Sequence, residues 1–320
     1  MTSVLVCGSA AIDFLGSYNG SFEDYEKRYP TAGLNISLQL ARLSTSFGGC
    51  GMNITYGLSK IGVPVTPLTS VGLDFRDHYL LHLNENGIDS RYVCVDEDYA
   101  HSAHCIIFSD ESGNQITAFN PGASLSPERI LPREIGHFDQ FEIAMLAPED
   151  APIMLRQARD INKTGVKVMF DPGQGLAEFK QAEILELLSL SHFVICNDHE
   201  WDIIQTNSGL TAAEIIASHE VIVTRGANGV DLYSAHRDPL HVDALPNQKI
   251  IDPTGCGDAF RAGYIFGMLN KLSPVACAQF GCVMASTNIS CRETQRYEID
   301  REILETRREA HYGPLPGDGC

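Results

Sequence analysis

Asp252-Pro253-Thr254-Gly255-Cys256-Gly257-Asp258-Ala259-Phe260 sets two glycines directly before a carboxylate, and an apolar run continues from it to Leu269. Phe260, Tyr264 and Met268 recur every four residues, so a helix is expected here with Asp258 in its first turn. The first amides of a helix have no partner within it, and those of Gly255, Cys256 and Gly257 can converge on an anion. The helix dipole favours an ionised Asp258. A carboxylate beside an anion hole is well suited to taking a proton from a hydroxyl while charge builds on a nearby phosphoryl group. Taken alone, the same residues also read as a capped helix after a glycine turn.

Around this stretch, apolar runs alternate with helical patterns. Val4 to Cys7, Ile143 to Leu146, Lys167 to Phe170, Phe193 to Cys196 and Val221 to Thr224 read as strands buried on both sides. Helices are expected over 150–164, 178–188 and 201–206, which is the rhythm of an α/β fold with a mostly parallel central sheet and helices on both faces. Several of these strands end in polar or glycine-bearing loops at Ser9, Asp171 to Gln174, Asn197 and Arg225-Gly226. Open parallel sheets bind ligands outside the carboxyl ends of their strands, so these groups converge on one edge. Residues 14–48 show no clear helix, while His104 to Ser109 and Gln115 to Phe119 read as a hairpin. After residue 245 the chain turns helical, with an amphipathic helix over 274–289, a charged one over 299–310, and a mobile Pro/Gly-rich tail over 313–320.

Other nucleotide signatures fail. No Gly-x4-Gly-Lys-Ser/Thr occurs, and Gly255-Cys256-Gly257 and Gly49-Cys50-Gly51 have Phe260 and Ile54 where a dinucleotide motif needs its third glycine. Hydride transfer is therefore a weak rival. With 320 residues, 44% hydrophobic and 20% charged, the chain can bury a large core. A formal charge of −18 argues against nucleic acid as a partner. No apolar run is long enough for a membrane span and no leader is evident, so a cytoplasmic protein is expected. The ten cysteines include no C-x-x-C pair, and most read as buried, Cys277 and Cys282 among them. His101 and His104 lie on an extended segment without a third ligand nearby, which argues against a metal there.

The Asp252 segment resembles the carboxy-terminal signature of the ribokinase-like (PfkB) carbohydrate and nucleoside kinases. Ser46 to Gly62, opening Ser46-Phe47-Gly48-Gly49-Cys50-Gly51-Met52-Asn53, resembles their amino-terminal signature. Asn197-Asp198-His199-Glu200 and Thr224-Arg225-Gly226-Ala227-Asn228-Gly229 are similar to two further family elements, and the resemblance runs from about residue 4 to about residue 290. Cys256 departs from the Ala or Gly usual in the family, a change that keeps the backbone donor.

The resemblance implies a ribokinase-like kinase domain over 1–312, with a discontinuous β lid from about 14–48 and 95–122 that offers a homodimer contact. Asp258 becomes the base, and Gly255, Cys256 and Gly257 the anion hole. Ser9 and Asp13 after the first strand, Gly48, Gly49, Asn53 and Gln174 would meet the acceptor. In this reading the two glycines let it approach the backbone, Asp13 accepts from sugar hydroxyls, and Asn53 offers both ends of its amide. By itself, Asn53 also reads as a helix cap and Gln174 as a solvated loop residue. Asn197, Thr224, Gly226 and Gly229 would hold ATP, Glu200 a hydrated Mg2+, and Asp252 a monovalent cation such as K+. The motifs look closest to the bacterial adenosine kinase branch, with Phe119 against the base and Cys105 where that branch often carries an aromatic. Guanosine, inosine or cytidine are alternatives to adenosine. A ribokinase- or fructokinase-like sugar kinase is the runner-up, and a non-catalytic nucleoside sensor is a third reading.

Overall fold

A computed structural model describes residues 3–28, 37–112, 114–246 and 249–315. Its strands in chain order are β1 (Ser3–Cys7), β2 (Ala11–Ser17), β3 (Arg42–Gly48), β4 (Val65–Val71), β5 (Val93–Val95), β6 (Ala103–Ser109), β7 (Gln115–Asn120), β8 (Phe141–Leu146), β9 (Lys167–Phe170), β10 (Phe193–Asn197), β11 (Glu220–Thr224), β12 (Val230–Ser234) and β13 (Arg237–Val242). The helices are α1 (Phe22–Arg28), α2 (Cys50–Lys60), α3 (Tyr79–Glu85), α4 (Ala151–Asn162), α5 (Gln181–Ser189), α6 (Asp198–Ser208), α7 (Ala212–Ile216), α8 (Cys256–Leu269), α9 (Pro274–Ile289) and α10 (Arg301–Tyr312).

Strands that are apolar at every position need cover on both sides, and the fold supplies it. Among the described residues the main sheet runs β13-β12-β11-β10-β9-β8-β1-β4-β5, parallel from β11 to β5 and antiparallel at β12 and β13. Val4, Val6, Met145 and Ile195 face one layer with residues of α2, α8 and α9, whereas Leu5, Cys7, Leu146 and Cys196 face the other, with residues of α4, α5 and α6. The alternation of β1 between the two cores is the period-two rule applied to a strand with no wet face. Helix α9 differs from the amphipathic expectation: Ala276, Phe280, Val283, Met284, Thr287 and Asn288 bury nearly all round, because α8, α10 and the sheet surround it.

A second sheet, β3-β2-β6-β7, forms the lid. It begins at Ala11, earlier than expected, so Asp13 lies inside β2 and not in a turn after β1. Residues 14–48 also contain α1, whose short, charged sequence hid its helical period; residues 29–36 fall outside the described set. Strand pairing sets Ser46, Asp13, Cys105 and Phe119 side by side across the lid, on one face.

The Asp74 carboxylate reaches His101 and His104, supplying the third group that local sequence did not offer. Of the nine described cysteines, Cys7, Cys196, Cys277 and Cys282 are buried and five are half-buried, fewer than expected. Among the described residues no helix is long and apolar enough to cross a membrane. Gly313 is tied to α10 by the Arg308 Nη1 to Gly313 carbonyl bond at 2.7 Å, and the rest of the expected tail, 316–320, lies outside the described residues.

Candidate active site

Helix α8 begins as the sequence suggests, with Gly255 as its N-cap at φ 76°, a left-handed conformation that glycine adopts without strain. The Cys256 amide donates to the Pro253 carbonyl at 3.3 Å, so it is not part of the open donor set. The amides of Gly255, Gly257 and Asp258 have no intramolecular acceptor among the described residues, so these three are the open donors of the helix start. The Cys256 thiol turns to Asn288 Oδ1 at 3.2 Å, and burial pushes it up to about 12, which keeps it neutral beside the hole.

Asp258 is 9% exposed and accepts a hydrogen bond from Asn53 Nδ2 at 2.8 Å. Burial pushes its pKa up to about 6, against the opposing pull of Arg261, the Asn53 amide and the Cys50 thiol. Desolvation therefore outweighs these opposing interactions and leaves an acid poised just below neutrality, still mostly ionised at pH 7, in the range where a general base works best. Asp13 is also buried and pushed up to about 7, by desolvation and then by the charges of Asp258 and Asp252. The lid carboxylate and the helix carboxylate thus feel one another across one cleft.

Several expected acceptor contacts have other jobs. A Cβ at Gly48 would lie 2.2 Å from Asp13 Oδ2, so that glycine makes room for the carboxylate. Gly49, at φ 90°, packs its open side on the backbone of Ser9 to Ala11. The Ser9 carbonyl accepts the Met52 amide at 3.2 Å, which ties the end of β1 to α2. Asn53 is neither a cap nor a free amide: its Nδ2 donates to Asp258 and its Oδ1 accepts from Gln295 Nε2 at 2.9 Å. Gln295 Nε2 also donates to Tyr79 Oη at 2.8 Å, and Tyr79 Oη donates to the Gly48 carbonyl at 2.7 Å. A chain of hydrogen bonds thereby joins Asp258 to Gly48 at the end of β3. If Asp13 meets the acceptor as the resemblance implies, replacing Gly48 with Ala is expected to displace it and raise the acceptor KM roughly tenfold, about 1.4 kcal/mol, with the ATP KM unchanged. Steady-state kinetics in both substrates would show it.

Arg261 and Asp171 went unassigned at the sequence level. Arg261 lies one turn after Asp258, its Nε and Nη2 pair with both Asp171 oxygens, Nη2 at 2.7 Å, and its Nη1 donates to the Gly257 carbonyl at 3.0 Å. Burial works against its charge, but Asp171, Asp258 and Glu200 outweigh it and raise its pKa. A lone cation in an otherwise apolar helix, three residues after an acid, was the available signal. Gln295 offered none, since its partner Asn53 is 242 residues away.

At the far strands, Asn197 caps α6 reciprocally with Glu200: Asn197 Oδ1 accepts the Glu200 amide and Glu200 Oε2 accepts the Asn197 amide, each at 2.8 Å. Glu200 is 8% exposed. Its Oε1 has no hydrogen-bond partner among the described residues. One free carboxylate oxygen suits magnesium, which keeps most of its waters. Thr224 Oγ1 donates to the Cys196 carbonyl at 3.3 Å, and the Arg225 amide closes the following turn on the Gly229 carbonyl at 2.8 Å, with Gly226 exposed within it. Asp252 is half-buried, and its Oδ1 accepts the Thr254 amide at 2.9 Å. Gln174 is exposed on the loop after β9, and Phe119 is 61% exposed on the outer lid strand.

A model of the pfkB family of carbohydrate kinases matches residues 1–300. The nucleoside kinase of Methanocaldococcus jannaschii is 27% identical over 319 residues, covering 97% of this chain and 98% of that protein. The structure of Burkholderia thailandensis nucleoside kinase in complex with inosine superposes with a TM-score of 0.87 at 28% identity, over 98% of this chain and 99% of that one. Arabidopsis thaliana ribokinase complexed with ribose and ATP shares the fold at a TM-score of 0.77 and 20% identity. Because the family match runs unbroken from the lid strand bearing Asp13 through the helix bearing Asp258, this chain belongs to the pfkB family and is a phosphotransferase with an alcohol acceptor.

Proposed function

We propose that this chain, a single kinase domain over 1–312, transfers the γ-phosphoryl group of ATP to the 5′-hydroxyl of a nucleoside, adenosine above others. The observation that carries the reading is the buried Asp258 carboxylate, pushed to about 6, beside three free amides of one helix start. Asp258 takes the proton of the primary hydroxyl as that oxygen bonds to the γ-phosphorus. The bond from phosphorus to the β,γ-bridging oxygen breaks, and ADP leaves with the electron pair. Amides of Gly255, Gly257 and Asp258 face the charge that spreads over the transferring group. Asp13 accepts from ribose hydroxyls, while Thr224, Gly226 and Gly229 line the nucleotide. Mg2+, when bound, neutralises part of the phosphate charge; Glu200 would hold its water shell, and Asn197 lies near the phosphates in this reading. Asp252 is assigned to a monovalent cation.

Phe119 shares the Asp13 face of the lid, where a flat ring suits a nucleobase better than a free sugar. The nucleoside kinases among the similar proteins support the same acceptor class. Leu43, Ile106 and Ile116 are 61%, 37% and 41% exposed on the opposite lid face, and we place a homodimer contact there. The address that fits an ATP-dependent enzyme of this kind is the cytoplasm.

ADP release with ATP, magnesium and a panel of adenosine, inosine, guanosine, cytidine, ribose and fructose tests the reading. Fastest turnover with adenosine supports it, and preference for another nucleoside moves the base assignment. Turnover with ribose or fructose alone makes the chain a sugar kinase, and no turnover with any acceptor makes it a sensor.

A further inference from the structure

The lid meets the main sheet where the chain leaves β4 and later enters β6. Asp74 lies in a short turn, Leu73–Arg76, that follows β4; His101 lies two residues before the start of β6, and His104 lies within it. Asp74 Oδ2 is 3.5 Å from His101 Nδ1 and 3.1 Å from His104 Nε2, and the three ligand atoms lie within 4.8 Å of one another. Zinc-to-ligand bonds of about 2.0–2.1 Å in a tetrahedron place ligand atoms about 3.3 Å apart. Both carboxylate-to-imidazole distances match that spacing.

A simple ion pair accounts for less of what is seen. Asp74 Oδ2 is buried and has no hydrogen-bond partner, although two imidazole nitrogens lie within 3.5 Å of it. Its other oxygen is fully occupied: Oδ1 accepts from the Ser102 amide at 2.8 Å and from Ser102 Oγ at 2.7 Å. Ser102 Oγ in turn accepts the Gly72 amide at 3.1 Å. One oxygen is thus fixed by a supporting shell while the other faces two nitrogens, the arrangement that outer partners impose on a metal-binding carboxylate. His104 is 15% exposed and packs edge-on to Phe14 at 5.3 Å, whereas His101 is 67% exposed and leaves a side open for water.

We propose that Asp74, His101 and His104 bind one divalent cation of the zinc class, which clamps the entry of the lid to the end of β4. Two nitrogens and one carboxylate oxygen select a borderline cation over magnesium or calcium, which prefer all-oxygen sites. The site lies away from the Asp258 cleft, because β6 turns His104 to the face opposite Cys105. It stands independently of the acceptor reading.

The test uses the full chain, stripped with chelator and free of nucleotide, titrated with Zn2+ and with Co2+. One zinc per chain is expected, together with a rise in Tm and a cobalt spectrum of nitrogen and oxygen ligation without a thiolate charge-transfer band. His101→Ala, on an exposed side chain and so not expected to disturb the fold, should weaken zinc by more than the roughly 10- to 100-fold typical of an outer partner. Ser102→Ala should fall within that range. Kinase turnover of metal-free His101→Ala should match that of the metal-free parent, so failure of the kinase reading and failure of this one are separable. Retention of less than one zinc, a thiolate band, or equal zinc affinity in His101→Ala would each overturn the proposal.

Discussion

Asp258→Asn is expected to lower kcat by about 10²- to 10⁴-fold while ATP still binds, and to make the protein more stable. Loss of activity follows if Asp258 takes the acceptor proton, as proposed. The gain in stability follows from burial. The folded pKa of about 6 lies above the ordinary carboxylate value of 3.8, so between these values the native state binds more protons than the unfolded chain. Stability therefore falls as pH rises from about 4 to about 6 and stays lower above that. A shift of about two units corresponds to roughly 3 kcal/mol. Asn avoids this cost and can still accept the Asn53 Nδ2 bond through its amide oxygen. Denaturant unfolding at pH 8 should show the variant more stable than the parent; equal or lower stability would remove the argument that burial raises this acid. In the parent, kcat/KM should fall about tenfold per unit below pH 6, as the base becomes protonated.

Arg261→Met is expected to cost about 3–5 kcal/mol of stability, because it leaves Asp171 buried without its cation. Both partners are nearly inaccessible, with side chains 7% and 2% exposed, so solvent cannot replace the lost bonds. Activity should fall as well, since Arg261 Nη1 holds the Gly257 carbonyl and with it the orientation of the free amides. The double variant Asp171→Leu/Arg261→Met removes both charges and should recover most of the stability but not the activity. Unfolding free energies of the four proteins form a cycle that checks this. A double variant as unstable as Arg261→Met would mean that the pair acts through packing and not through charge.

These two residues show what local sequence could and could not convey. The helix start at Gly255, the acid at Asp258, the buried parallel strands and the lid hairpin were all legible, because each rests on contacts within a few residues or on a short period. The same pattern placed Ser9, Asn197 and Thr224 at the carboxyl ends of strands, where β1, β10 and β11 put them. Strand β2 was not legible: Ala11 to Ser17 carries a charge and a glycine, and only its pairing with β3 and β6 makes it a strand.

By itself, the sequence determined the buried parallel strands at the centre of the sheet, the helix that bears Asp258, and the family signatures that name the chemistry, since periodicity and turn residues act locally. Only the tertiary structure decided what surrounds those groups. Burial raises the proton affinity of Asp258; Asn53 is committed to Asp258 and Gln295; Gly48 makes room for Asp13; and Asp74 completes the pair of histidines. Desolvation and long-range hydrogen bonds depend on which distant segments fold against a residue, and that information is absent from its neighbours in the chain.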